Sequence, residues 1–436
     1  MTFDRRIILI VLVAALAVYP ARLPADDAAP PPRDVLFNCP DPAVIQPAGG
    51  KDVYVFSTGR GIPYYRSEDL VHWKSAGTVF DRNAPEWAKA AIPNARNVWA
   101  PDIRWLNGRY YLYYAVSSFG SQRSVIGLAV NKTLDPASPD YRWEDRGLVI
   151  ESAPGKTDFN AIDPAMFVDR DNSPYLFWGS FWSGIKAIKL DPNTGKPPEG
   201  PPKITAVAGR AKGIDPPAIE APYVTFHEPY YYLFVSWDSC CDPQRATYKV
   251  VVGRAKSVLG PYVDQRGRPM SEGGGTLVLA GYGHWRGPGH NSALSTPKGD
   301  WLVNSGFDTN FLWRGRVLQF RRMYWLDDGW PVAGEALSEA VKSDAANAKP
   351  PSAAGKWTQW IDYDNKQTIT LRPDGAIAAA DRTGSWQQSG GSLVLRWKDA
   401  PNSSENAEDH VIFEAGGRSY VGRNARGEVV FGLREK

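Results

Sequence analysis

Asp163-Pro-Ala-Met-Phe167, then a turn, Pro174-Tyr-Leu-Phe-Trp178, and then Gly184-Ile-Lys-Ala-Ile-Lys-Leu190, is one copy of a unit that the chain writes five times. Each copy opens on a polar residue, runs into an apolar strand, turns, and continues as an aromatic strand with period-two character. The other openings are Asp41-Pro-Ala-Val-Ile45, Asp102-Ile-Arg-Trp105, Glu220-Ala-Pro-Tyr-Val224 and His290-Asn-Ser-Ala-Leu294, spaced by about 61, 61, 57 and 70 residues. Gly108-Arg-Tyr-Tyr-Leu-Tyr-Tyr114 and Pro229-Tyr-Tyr-Tyr-Leu-Phe-Val235 are two of the aromatic partners. Repeats of this length, with three or four short strands each, suit the blades of a β-propeller, whose closed ring protects the sheet edges. The reading is therefore all-β, a five-bladed propeller over residues 34–341. A sandwich has no reason to repeat a polar opening at even spacing.

Outward from the repeats the text changes twice. Residues 342–355 are small and proline-rich, a linker by composition. Residues 356–436 return to short strands separated by turns and read as a separate small β-domain, a barrel or sandwich. At the other end, Arg5-Arg6 precedes an apolar run from Ile7 to Val18. That pattern reads as a secretory signal over residues 1–25, cleaved near Ala25, its apolar part short for a bilayer span, with an uncleaved anchor as the alternative.

Composition narrows the function classes. Fifty Lys and Arg stand against 47 Asp and Glu, a net charge of +3. Arg5, Arg6 and Arg22 against Asp4 remove two of those charges with the signal, which leaves no bulk charge for nucleic acid. Aromatic residues make up 12% of the chain, and flat rings match the C–H faces of sugars as well as they fill strands. Cys39, Cys240 and Cys241 are too few for a disulfide framework. The adjacent pair favours two separately packed thiols over a vicinal bridge. No phosphate loop, nucleophile elbow or zinc spacing is present.

The inner strands of a propeller run beside one axis, so equivalent strand openings meet at one funnel mouth. Asp41, Asp102, Asp163, Glu220 and His290 are thereby predicted to converge. Carboxylates crowded into an aromatic-lined pocket repel one another and their proton affinities separate. Glycoside hydrolysis needs such an acid and base. Trp99, Phe119 and Trp182 lie beside or just after inner strands as candidate sugar platforms, with packing between blades as their alternative.

At these openings the sequence resembles the arabinanases of glycoside hydrolase family 43. Asn97-Val-Trp-Ala-Pro-Asp-Ile103, Asn131-Lys-Thr-Leu-Asp-Pro136, Asn160-Ala-Ile-Asp-Pro164, Gly179-Ser-Phe-Trp-Ser-Gly184, Ala218-Ile-Glu-Ala-Pro222 and Gly287-Pro-Gly-His-Asn-Ser292 carry the resemblance. It implies a five-bladed propeller and an inverting endo-1,5-α-L-arabinanase. Asp41 would be general base, Glu220 general acid, and Asp163 the carboxylate that orients the acid and tunes its proton affinity. Trp99, Asp102, Phe119 and Trp182 are the substrate-binding candidates. His290 would sit near a bound ion, usually calcium, and no organic cofactor is implied. The C-terminal part resembles the lipocalin-like domain of some extracellular arabinanases. One departure is that Pro40 precedes Asp41 where the family commonly has histidine.

The implied substrate is plant cell-wall arabinan or arabino-oligosaccharides, met by a secreted or periplasmic monomer that has no membrane association after signal cleavage. Two other readings stand beside it. An exo-acting α-L-arabinofuranosidase or β-xylosidase would use the same three carboxylates, and a carbohydrate-binding propeller would need none of them ionisable.

Overall fold

The computed structural model describes residues 36–81, 83–338, 351–398, 407–414 and 416–435. The segment read as a signal, and residues 342–350 of the linker, lie outside the described residues. From Leu36 onward, five four-stranded antiparallel sheets follow one another in chain order. Their inner strands are Ala43–Ile45, Trp99–Leu106, Ala165–Val168, Ile219–His227 and Trp285–Thr296. Each inner strand touches the next and the fifth touches the first, so the five-bladed ring closes.

Alternation explains how strands so rich in apolar residues find enough neighbours. Tyr110, Leu112 and Tyr114 pack toward blade one, while Tyr111 and Tyr113 from the same strand pack toward blade three. Both faces of a blade are therefore interior, and polar alternation is lost where it would be expected on a one-sided sheet. The remaining gaps between blades are filled by three further clusters, around Phe177 and Leu233, around Phe234 and Leu302, and around Val55 and Phe320.

Ring closure does not rest on apolar packing alone. The Leu318 N–H donates to Leu36 O at 2.9 Å and the Cys39 N–H to Arg316 O at 2.9 Å, laying the first described residues along blade five. Ser292 Oγ of blade five donates to Pro42 O at 2.7 Å and accepts from the Val44 N–H at 3.3 Å, both in blade one.

The last eight strands, Gly355–Ile361 through Val429–Arg434, form a closed barrel in which the first pairs with the last. The barrel shares a core with blades four and five: Tyr282 lies 4.4 Å, centroid to centroid, from Phe431 and 5.4 Å from Tyr363. Polar contacts reinforce it. Arg423 Nη2 donates to Leu277 O at 2.6 Å and to Pro331 O at 3.2 Å, and the Glu335 N–H donates to the Glu414 carboxylate at 2.8 Å. No helix among the described residues is long and apolar enough to cross a membrane.

One cysteine expectation is corrected. Cys240 and Cys241 are bonded to each other rather than packed as separate thiols. Their loop is held from both sides, with the Thr247 and Tyr248 N–H groups donating to Ser239 O at 2.9 Å and Arg316 Nη1 donating to Cys240 O at 2.9 Å. Cys39 is a free thiol that burial pushes up to about 12, which leaves it a weak nucleophile.

Candidate active site

The five strand openings share a backbone conformation. Asp41, Ala100, Asp163, Ala221 and His290 all have positive φ, between 44° and 55°, although none is glycine. Such residues cost roughly 1–3 kcal/mol each and persist where the surroundings over-determine them. Inner-strand register breaks fall at three of these positions, within Trp99–Asp102, Glu220–Tyr223 and Gly289–Ser292. Bulges of this kind re-aim side chains at the ends of strands.

This shared turn corrects the repeat alignment. The residue level with Asp41 in blade two is Ala100, not Asp102, and in blade four it is Ala221, not Glu220. Asp102 consequently lies two residues further down its strand. It is buried, 3.3 Å from Arg104 Nη1, and accepts the Met166 N–H at 2.7 Å. Desolvation raises its pKa. These contacts tie blade two to blade three; they do not join Asp102 to the other carboxylates.

Asp41, Asp163, Glu220 and His290 do come together. Thr58 Oγ1 donates to Asp41 Oδ2 at 2.5 Å, and the Ala100 N–H holds that hydroxyl at 2.7 Å. His290 Nδ1 lies 3.3 Å from Asp41 Oδ1, so blade five supplies an imidazole to the carboxylate that Pro40 precedes. Glu220 is fixed at both oxygens, by Ser180 Oγ at 2.8 Å and Tyr248 Oη at 2.7 Å. Asp163 is buried and accepts the Ala221 N–H at 3.1 Å. Burial, then the negative charges of Glu220 and Asp41, push its pKa well above the usual carboxylate range. One site thus holds carboxylates in unlike surroundings, the physical condition for an acid and a base at one pH.

The aromatic candidates differ in exposure. Phe119 is 84% exposed and Trp182 40% exposed, both open to a ligand, whereas Trp99 is half-buried and packs against the core between blades two and three. Phe37 and Trp313 were not singled out from sequence, yet they are 49% and 67% exposed and form an edge-on pair with centroids 5.8 Å apart. Thr58, Ser180, Tyr248 and Gly289 were also missed as site residues. Ser180 and Gly289 stand inside motifs already quoted; Thr58 and Tyr248 carry no sequence signal, because they follow or precede strands away from the axis.

Calcium takes six to eight oxygen ligands. Among the described residues no three His, Cys, Asp or Glu side chains converge as ligands, and the one imidazole of the site is turned to Asp41. The side chains around His290 do not fit a protein-built calcium cage.

Comparison with known proteins places this geometry. The sequence profile of Glycosyl hydrolases family 43 matches residues 35–331. The extracellular exo-α-(1→5)-L-arabinofuranosidase ArbA of Cellvibrio japonicus is 44% identical over 296 residues, 66% of this chain and 84% of the relative. The extracellular endo-α-(1→5)-L-arabinanase 1 of Bacillus subtilis is 38% identical over 323 residues, 73% of this chain and 94% of the relative. Among solved structures, the Cellvibrio cellulosa α-L-arabinanase complexed with arabinohexaose superposes with a TM-score of 0.63 at 42% identity, covering 68% of this chain and 95% of that one.

Proposed function

The chain belongs to glycosyl hydrolases family 43 and is a glycosidase, and from that premise we propose that it is exported and cuts α-1,5-L-arabinofuranosidic bonds inside arabinan with inversion of configuration. The observation that carries this reading is the group at the funnel mouth, three carboxylates each with its own hydrogen-bond fixture. Extracellular relatives acting on arabinan by name support the substrate and the export.

The residues divide the reaction between them. Asp41, held by Thr58 and beside His290, takes a proton from water as its oxygen attacks the anomeric carbon. Glu220, aimed by Ser180 and Tyr248, gives a proton to the departing sugar oxygen. Asp163 orients the acid through the Ala221 N–H next to it, its own proton held by burial and by the charges of Glu220 and Asp41. Base and acid come from blades one and four, which suits the separation of about 6.5–9.5 Å that an inverting pair needs for its water. Phe119 and Trp182 offer stacking faces for furanose rings outside the cleaved bond.

Proton NMR of the first turnovers on linear arabinan tests the reading, with β-configured arabinose ends and a spread of oligosaccharide lengths expected. Early α-anomer would overturn inversion. Because ArbA is named an exo-acting enzyme, exo action is the second reading, and a single short product from the earliest time points would replace endo with it.

Gly289 gives a separate expectation. A β-carbon there would stand 2.1 Å from the Tyr248 ring, so only glycine lets that ring lie across the strand and reach Glu220. Gly289→Ala should misplace the Tyr248 hydroxyl and lower kcat by about 10²-fold. Unchanged kcat in steady-state assays would show that the hydroxyl is dispensable.

A further inference from the structure

Arg316 opens the third strand of blade five and is only 8% exposed. Its hydrogen bonds all go to neutral oxygens: Nε to Ser305 Oγ at 2.9 Å, Nη1 to Cys240 O at 2.9 Å, and Nη2 to Gly287 O at 3.0 Å and Ser305 O at 2.6 Å. Among the described residues it makes no ion pair. A buried charge ordinarily has a carboxylate against it, and a guanidinium does not escape the cost by losing its proton. The carboxylates that act on this one through space are Asp41 and Glu220. Its Cζ lies 5.6 Å from the ring centroid of Tyr248, whose hydroxyl aims Glu220. Its carbonyl takes the Cys39 N–H, two residues before Asp41.

We infer that Arg316 is a positioning residue of the reaction, a fixed cation beside the Tyr248 ring that sets the charge balance at Glu220 and ties the acid's blade to the chain leading to the base. It is not a catalytic residue, since it is buried and its four hydrogen bonds are all spent on Ser305, Cys240 and Gly287. The ionisable groups gathered around Glu220 are Asp163, Asp41 and Tyr248, with Arg316 the buried cation among them. His290 adjoins Asp41 rather than Glu220. Removing the cation leaves these acids to repel one another unopposed, and a proton on the acid becomes harder to remove. The alkaline limb of the pH–rate profile, which reports the general acid, should then move to higher pH.

The inference rests on the proposed arabinanase reading, and the experiment separates the two. The full-length parent is first assayed on linear arabinan, where no hydrolysis would sink the functional reading itself. With activity in hand, kcat/KM is measured against pH for the parent, Arg316→Gln and Arg316→Lys, with thermal melts beside each. The glutamine variant should lose about 10–10²-fold at its optimum with its alkaline limb raised by about one pH unit, and the lysine variant should keep the limb where the parent has it. Lowered activity with an unmoved limb in Arg316→Gln would reduce Arg316 to a structural pin and overturn the inference. Should the glutamine variant not fold, the lysine variant decides: it keeps the charge without the guanidinium fork, and a displaced limb there overturns the inference equally.

Discussion

Asn in place of Asp41, or Gln in place of Glu220, is expected to lower turnover on linear arabinan by about 10²–10⁴-fold, while circular dichroism and the melting temperature stay close to the parent. Both replacements keep the shape: asparagine keeps an oxygen for Thr58, and glutamine keeps one acceptor for Ser180 or Tyr248 while its NH2 donates to the other hydroxyl, so the fold has little to lose. The two should part on substrate. An aryl arabinofuranoside with a good leaving group needs little protonation, so Glu220→Gln should recover much of its loss there; Asp41→Asn should not, because water still needs a base. Equal losses of Glu220→Gln on both substrates would remove Glu220 from the acid's role. Asp163→Asn should be inactive yet as stable as the parent or more so at neutral pH. The sign follows from its raised folded-state pKa: the native state holds that proton more tightly than the unfolded chain, so stability falls as pH rises from the ordinary carboxylate value, near 4. A neutral isostere removes that loss. A melting temperature well below the parent's would assign Asp163 a mainly structural task.

The second large effect concerns the barrel. A chain ending at Leu337 should fail to give a cooperative melt or a monodisperse monomer. Deletion strips Trp360, Tyr363 and Phe431 from a core that also holds Tyr282, Trp330 and Val332 of the propeller. It also leaves the Glu335 N–H without the Glu414 carboxylate. Burying one large aromatic is worth about 3–5 kcal/mol, against a total stability of about 5–15 kcal/mol for a typical protein. Phe431→Ala alone should lower the melting temperature by roughly 6–20 °C at about 2–4 °C per kcal/mol. A truncated propeller that melts within 2 °C of the parent would show that the barrel only rides on the ring.

How much of this was legible beforehand depends on what sequence records. The five openings were visible because proline, acid and strand residues recur together, and that alone yielded the ring. What recurs in the structure, however, is a backbone turn, and in blades two and four the residue bearing it is Ala100 or Ala221. Alanine leaves no mark in a scan for polar openings, so the scan slid to the nearest acid and set Asp102 among the converging carboxylates as a substrate-binding candidate. Glu220 survived the same slip because a register break re-aims it. Thr58, Tyr248 and Arg316 were unreadable for another reason: they sit at the far ends of second and third strands, and only the closed ring carries those ends to the mouth. The disulfide between Cys240 and Cys241 depended on a loop conformation that no spacing encodes.

Residues 36–39 lie along the third strand of blade five, and Ser292 of that blade grips Pro42 and Val44 just after Asp41. The base is thus seated by residues that are synthesised some 275 positions after it. A ribosome making roughly 5–20 residues per second takes about a quarter of a minute to a minute to cover that stretch. Throughout that interval Asp41 has only Thr58 to aim it and lacks the His290 imidazole and the seat that blade five provides. The reacting group is therefore complete only once blade five is made, and a chain broken off before it is inert without any inhibitor or propeptide to keep it so.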